Sequence, residues 1–179
     1  MTLCKEIPMN PGWQISKQNF TENDGSLPTV ELTQLSSDSL CLIVKHFFAS
    51  GTIDTVNPTF YDNVSERDLE LSEVTDPTKG VISGIANPFH CCFSGLSWKG
   101  VEIPVLGLFV FSDSLEIDYR MGSHWSPQNV DAFFNLISFF ISLDTATIVA
   151  SAESEGLPFP DQFSEALNYY SPNRKQKEA

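Results

Sequence analysis

Basic residues are scarce in this chain of 179 residues: ten Lys and Arg stand against 23 Asp and Glu, a formal charge of −13. Three of the ten cations, Arg174, Lys175 and Lys177, fall in the last six positions, so the body is more acidic still. Phosphate backbones are held by Lys and Arg through counterion release, which excludes nucleic acid and anionic membrane surfaces as expected partners. A long apolar run is also missing. The most apolar stretch, Phe133 to Ala150, is broken by Asn135 and Asp144, and a spanning helix needs about 20 predominantly apolar residues. The first twenty residues lack the apolar core of a secretory signal, so cytoplasmic residence is the expectation. Cysteine is limited to Cys4, Cys41, Cys91 and Cys92, without the spacing of a disulfide framework or of a C-x-x-C metal site. No phosphate-binding glycine loop, nucleophile elbow, H-x-x-x-H pair or internal repeat occurs. No catalytic residue, metal or cofactor is therefore assigned.

Apolar residues make up 41% of the chain and include 14 Phe, enough for a packed interior in one domain. Residues 1–28, rich in Pro, Asn and Gly, read as an irregular lead-in carrying Trp13 and Phe20, and residues 172–179 as a frayed tail. VELTQL, from Val30, alternates like a strand. In SDSLCLIVKHFFASG, Leu40, Ile43, Val44, Phe47 and Phe48 recur at helical spacing. Ser37 or Asp38 is the expected cap, and Gly51 the expected left-handed residue past the end. Between Phe89 and Gly122, three β-rich runs are separated by Lys99-Gly100 and Ser112-Asp113-Ser114, the pattern of an antiparallel meander. The unbroken apolar run Val105 to Phe111 suggests a central strand covered on both faces. Pro104 belongs where no ladder donor is needed.

SPQNVDAFFNLISFFISL opens with a good N-cap, Ser126, and has Pro127 at the first helical position. PDQFSEALNYY predicts a further helix, and TATIVAS between them is either a strand or an extension of the preceding helix. The expected class is α+β: an antiparallel β-meander sheet with helices packed on one face.

Two stretches carry functional side chains. In EIDYRMGSHW, Glu116, Asp118 and Arg120 share the strand face opposite Ile117 and Tyr119. Gly122 then turns the chain, and Trp125 precedes the cap, placed to pack on Val130. Arg120 and His124 near a helix start can hold an anion, so Asp118, Arg120 and His124 form a candidate ligand site. In PFHCCFSG, His90 and Cys92 share a face, and His90 needs a partner from another segment. The segment Tyr61 to Asp76 sets six acids, Asp62, Glu66, Asp68, Glu70, Glu73 and Asp76, against Arg67 alone. The composition favours a non-catalytic acidic module that binds a basic protein through those six acids, in the manner of an immunity or inhibitor protein. The alternative is a small-molecule domain or enzyme with an anion site near Arg120 and His124.

Overall fold

The computed structural model describes residues 10–149 and 156–170. The described part of the expected lead-in is irregular only over residues 22–28; before them it forms two short helices, α1 (Pro11–Ser16) and α2 (Gln18–Thr21). Helices this short carry no readable periodicity and owe their stability to tertiary contacts. Phe20 is fully buried among Tyr119, Trp125, Phe133 and Phe134. Residues 1–9 and the tail 172–179 lie outside the described residues.

The chain continues as β1 (Thr29–Thr33), α3 (Ser37–Ser50), β2 (Thr52–Ile53), β3 (Thr59–Asp62), β4 (Arg67–Glu70) and α4 (Pro77–Ile82). It then forms β5 (Phe89–Ser94), β6 (Ser97–Trp98), β7 (Val101–Glu102), β8 (Leu106–Val110) and β9 (Leu115–Tyr119). Helix α5 (Pro127–Ser142), β10 (Ile148–Val149) and α6 (Pro160–Tyr170) complete it. Six strands make one antiparallel sheet in the order β10-β1-β9-β8-β5-β2. The meander is present as β5, β8 and β9. Its first connection carries a hairpin of its own, β6-β7, turned by Lys99 and Gly100 at φ 49° and 81°. Pro104 falls between β7 and β8, clear of both ladders. TATIVAS supplies the edge strand β10.

One face of the sheet is apolar throughout. Val30 and Leu32, then Leu115, Ile117 and Tyr119, then Leu106, Leu108 and Val110, then Phe89, Cys91 and Phe93 are all buried. Helices α3 and α5 lie on it: Phe47 meets Phe93 edge-on at 5.4 Å, and Phe133 meets Tyr119 at 5.4 Å. Helix α5 begins with a full capping box, in which Ser126 and Asn129 bond each other's backbone N–H groups. Helix α3 is capped by Ser36, one residue ahead of the expected position. Gly51 is extended (φ −106°), not left-handed; its glycine makes room, since a Cβ there would lie 3.1 Å from both the Phe47 carbonyl and Leu96. The N-terminal helix α1 is tied to both C-terminal helices. Gly12 N–H donates to the Tyr170 hydroxyl at 2.9 Å, and that hydroxyl donates to the Asp131 carboxylate.

The opposite sheet face carries Thr29, Glu31 and Thr33, then Glu116 and Asp118, then Gly107 and Phe109, then His90 and Cys92. Strand β8 is shielded on both faces, as its apolar run predicts, but without a helical layer on this one: Gly107 is buried and Phe109 half-buried. No described helix packs on this side, and the apolar run through β8 survives because Gly107 and Phe109 are shielded by side chains of the flanking strands.

Candidate ligand site on the open sheet face

Register places Asp118, Gly107 and Cys92 side by side across β9, β8 and β5. Glycine in a strand interior weakens the strand and marks a place where another group approaches closely. Here the approaching group is the Asp118 carboxylate, which lies across the central strand: a Cβ on Gly107 would stand 2.5 Å from Asp118 Cγ. This reach allows His90 Nε2, two strands away, to bond Asp118 Oδ2 at 2.7 Å. The bond to Asp118 pushes the His90 imidazole above its ordinary pKa, against the opposing effect of partial burial, with help from the charges of Asp118 and Glu116. Phe109 meets the His90 ring edge-on at 5.9 Å. The spatial partner that His90 required is therefore Asp118, and not Cys92, to which no hydrogen bond runs. Cys91 faces the core, where burial pushes its thiol to about 11 and leaves it unreactive.

The next row holds a like-charged pair. Glu31 and Glu116 are direct register partners on the same face. Partial burial first, then the charges of Glu31 and Asp118, raise the Glu116 carboxyl, with His90 opposing. Like charges directly opposite on neighbouring strands are destabilising.

At the end of β9 the chain turns at Gly122 and enters α5 through the Ser126 cap, as expected. The Arg120 carbonyl accepts bonds from His124 Nε2 at 2.9 Å and from the Trp125 indole at 2.8 Å. Gly122, at φ 145°, bonds the Phe20 carbonyl through its N–H at 2.8 Å. Trp125 is buried, with ring contacts to Phe20, Tyr119 and Phe133. The Arg120 side chain is left exposed; the ion pairs among the described residues are His90–Asp118 and Lys79–Asp76, so among those residues its guanidinium has no carboxylate partner.

All three residues expected to bind ligand, Asp118, Arg120 and His124, open into one concavity of about 580 Å³, within the usual range for small-molecule sites. His90, Cys92 and Gly107 form its floor, and Leu27, Pro104 and Val105 line it with apolar surface, Leu27 and Val105 being 51% and 43% exposed. Glu102, on the β6-β7 hairpin, adds a carboxylate at the rim. Leu27, Gly107, Glu102 and the pairing of His90 with Asp118 were not legible in the sequence. The only signal was Gly107 within an otherwise apolar β-run.

The six acids expected to meet a partner do not form one surface. Asp62 is turned inward, 9% exposed, its carboxylate accepting from the Ser65 N–H and hydroxyl, which lower its pKa. Asp76 caps α4 and pairs with Lys79 at 3.1 Å. Glu66, Asp68, Glu70 and Glu73 remain exposed along the β3-β4 hairpin and the turn after it.

A second concavity, about 750 Å³, lies between α3 and residues 71–79. Its lining mixes apolar Leu42, Val44, Phe48, Leu71 and Val74 with Asp38, Cys41 and Lys45, and with the Asp76–Lys79 pair, which is neutralised within the chain. Among the described residues no group of three or more His, Cys, Asp or Glu is placed to hold a metal ion, and no helix is long and apolar enough to cross a membrane. Comparisons with protein-family models, curated proteins and solved structures found no match for this chain.

Proposed function

We propose that the protein is a binding domain that holds a small molecule bearing a carboxylate or phosphate in the concavity on its open sheet face. The observation that carries this reading is the convergence of an unpaired guanidinium, Arg120, with His124 and the His90–Asp118 pair over a glycine floor. A guanidinium presents a planar fork of donors suited to bidentate recognition of an oxyanion. The His90 imidazole adds a second donor whose protonated form Asp118 favours. Free thiols at Cys41, Cys91 and Cys92 suit a reducing compartment, in keeping with cytoplasmic residence. The test is isothermal titration of the purified protein with a panel of small carboxylates and phosphate monoesters. Saturable binding that Arg120→Ala abolishes supports the reading; heats unchanged by Arg120→Ala count against it.

A basic protein partner is the second reading, favoured by the Glu31–Glu116 pair and the four exposed acids of the hairpin and the turn after it. A lysine or arginine set between Glu31 and Glu116 would relieve their repulsion, and the net charge of −13 would speed association at low salt. Under this reading the double variant Glu31→Gln/Glu116→Gln loses a partner that the parent retains at low salt. Equal retention by both proteins would remove it.

A further inference from the structure

The concavity sets charges of both signs beside an apolar lip. Arg120 and His124 line it together with Asp118 and Glu102. Asp118 and Arg120 are two residues apart on one face, roughly 6.6 Å along the strand, so the two charges alternate within reach of a single small molecule. Asp118 uses Oδ2 for His90, while Oδ1 has no hydrogen bond among the described residues. A simple anion fits this arrangement poorly. It would satisfy Arg120 while facing Glu102 and Asp118, and it would approach against the field of a protein carrying −13. A molecule with no net charge, carrying a carboxylate and an ammonium in one small frame, meets neither difficulty. Leu27, Pro104 and Val105 then offer an apolar wall to its side chain.

Resting on the reading of this concavity as a small-molecule site, we propose that its ligand is a zwitterion, an apolar α-amino acid or a short apolar peptide. The carboxylate is held by Arg120, the ammonium by Asp118 Oδ1 and Glu102, and the apolar side chain lies against Leu27 and Val105. His90 acts as a positioning residue. Its bond to Oδ2 fixes the carboxylate across Gly107 and leaves the second oxygen facing the ligand.

The test is isothermal titration of the whole chain at pH 7 and low salt with five probes: leucine, leucyl-leucine, 4-methylpentanoate, 3-methylbutylamine and a phosphate monoester. Leucine or leucyl-leucine is expected to bind at least tenfold more tightly than either singly charged analogue. Asp118→Asn, which keeps a hydrogen-bonding group beside His90, is expected to bring leucine down to the affinity of 4-methylpentanoate. Glu102→Gln, at an exposed position, is expected to weaken leucine severalfold while 4-methylpentanoate, freed of a like charge, binds at least as well as before. Binding of 4-methylpentanoate or the phosphate ester as tightly as leucine overturns the zwitterion and leaves the anion site standing. Failure of all five probes to bind overturns both.

Discussion

Gly107→Ala isolates the most unusual contact in the molecule. The added methyl would stand 2.5 Å from Asp118 Cγ, so the carboxylate must swing away and release His90. Two effects on stability then oppose one another. Replacing a strand glycine by alanine stabilises by about 0.5–1 kcal/mol through lost chain entropy. Losing the His90–Asp118 pair destabilises, but the His90 side chain is 40% exposed and solvent screens the pair, so about 1 kcal/mol is the most it can contribute. The sum lies within about 1 kcal/mol of zero, and a melting temperature alone will not reveal the contact. The His90 titration will. Followed by NMR, His90 should titrate above the ordinary histidine value in the parent and fall back in Gly107→Ala. A double-mutant cycle sharpens this: in an Asp118→Ala background the obstruction is gone, and Gly107→Ala should stabilise by the full 0.5–1 kcal/mol or so. An unchanged His90 titration in Gly107→Ala, or the same stability change in both backgrounds, would refute the account of Gly107.

Four further outcomes are expected. Glu116→Gln removes one member of the like-charged pair with Glu31 and should raise stability at pH 7 by about 0.2–1 kcal/mol in urea denaturation. Because the folded pKa of His90 is raised, its contribution is complete below about pH 6.5 and is lost as pH rises through the folded value; chemical denaturation from pH 6 to 9 should show that decline, and His90→Gln should flatten it. Ser126→Ala breaks the capping box of α5 and should destabilise by about 1 kcal/mol. Gly12→Ala would set a methyl 2.6 Å from the Phe134 ring and should destabilise by about 1–3 kcal/mol in thermal or urea unfolding.

The elements that carry their own periodicity were legible in the sequence. Helices α3, α5 and α6 declared themselves by apolar spacing, and α5 also by Ser126 and Pro127. The strands β5, β8 and β9 followed from β-rich runs between turn signals. What escaped depends on contacts between distant segments. Helices α1 and α2 are held by Tyr170, Asp131 and the ring cluster around Phe20, none of them near in sequence. The same holds within the site: Asp118, Arg120 and His124 are close in the chain and were read together, whereas the His90–Asp118 bond spans 28 residues and two strand registers. The acids of residues 61–76 could be counted but not sorted. Asp62 and Asp76 differ from their neighbours only in the local turn and cap that engage them.

The sheet ends on both sides in strands of two residues, β10 and β2. Past β2, the next free donor on β5, the Cys92 N–H, is taken at 2.7 Å by the Thr55 hydroxyl instead of by a further strand. An incoming extended segment finds too little unpaired backbone here to zip onto, which is how many natural β-proteins avoid self-association through their margins. Recruitment of a peptide by strand addition is therefore disfavoured at the β2 border. A molecule that meets the open face instead finds side chains there, because the backbone groups of the central strands are already paired within the sheet.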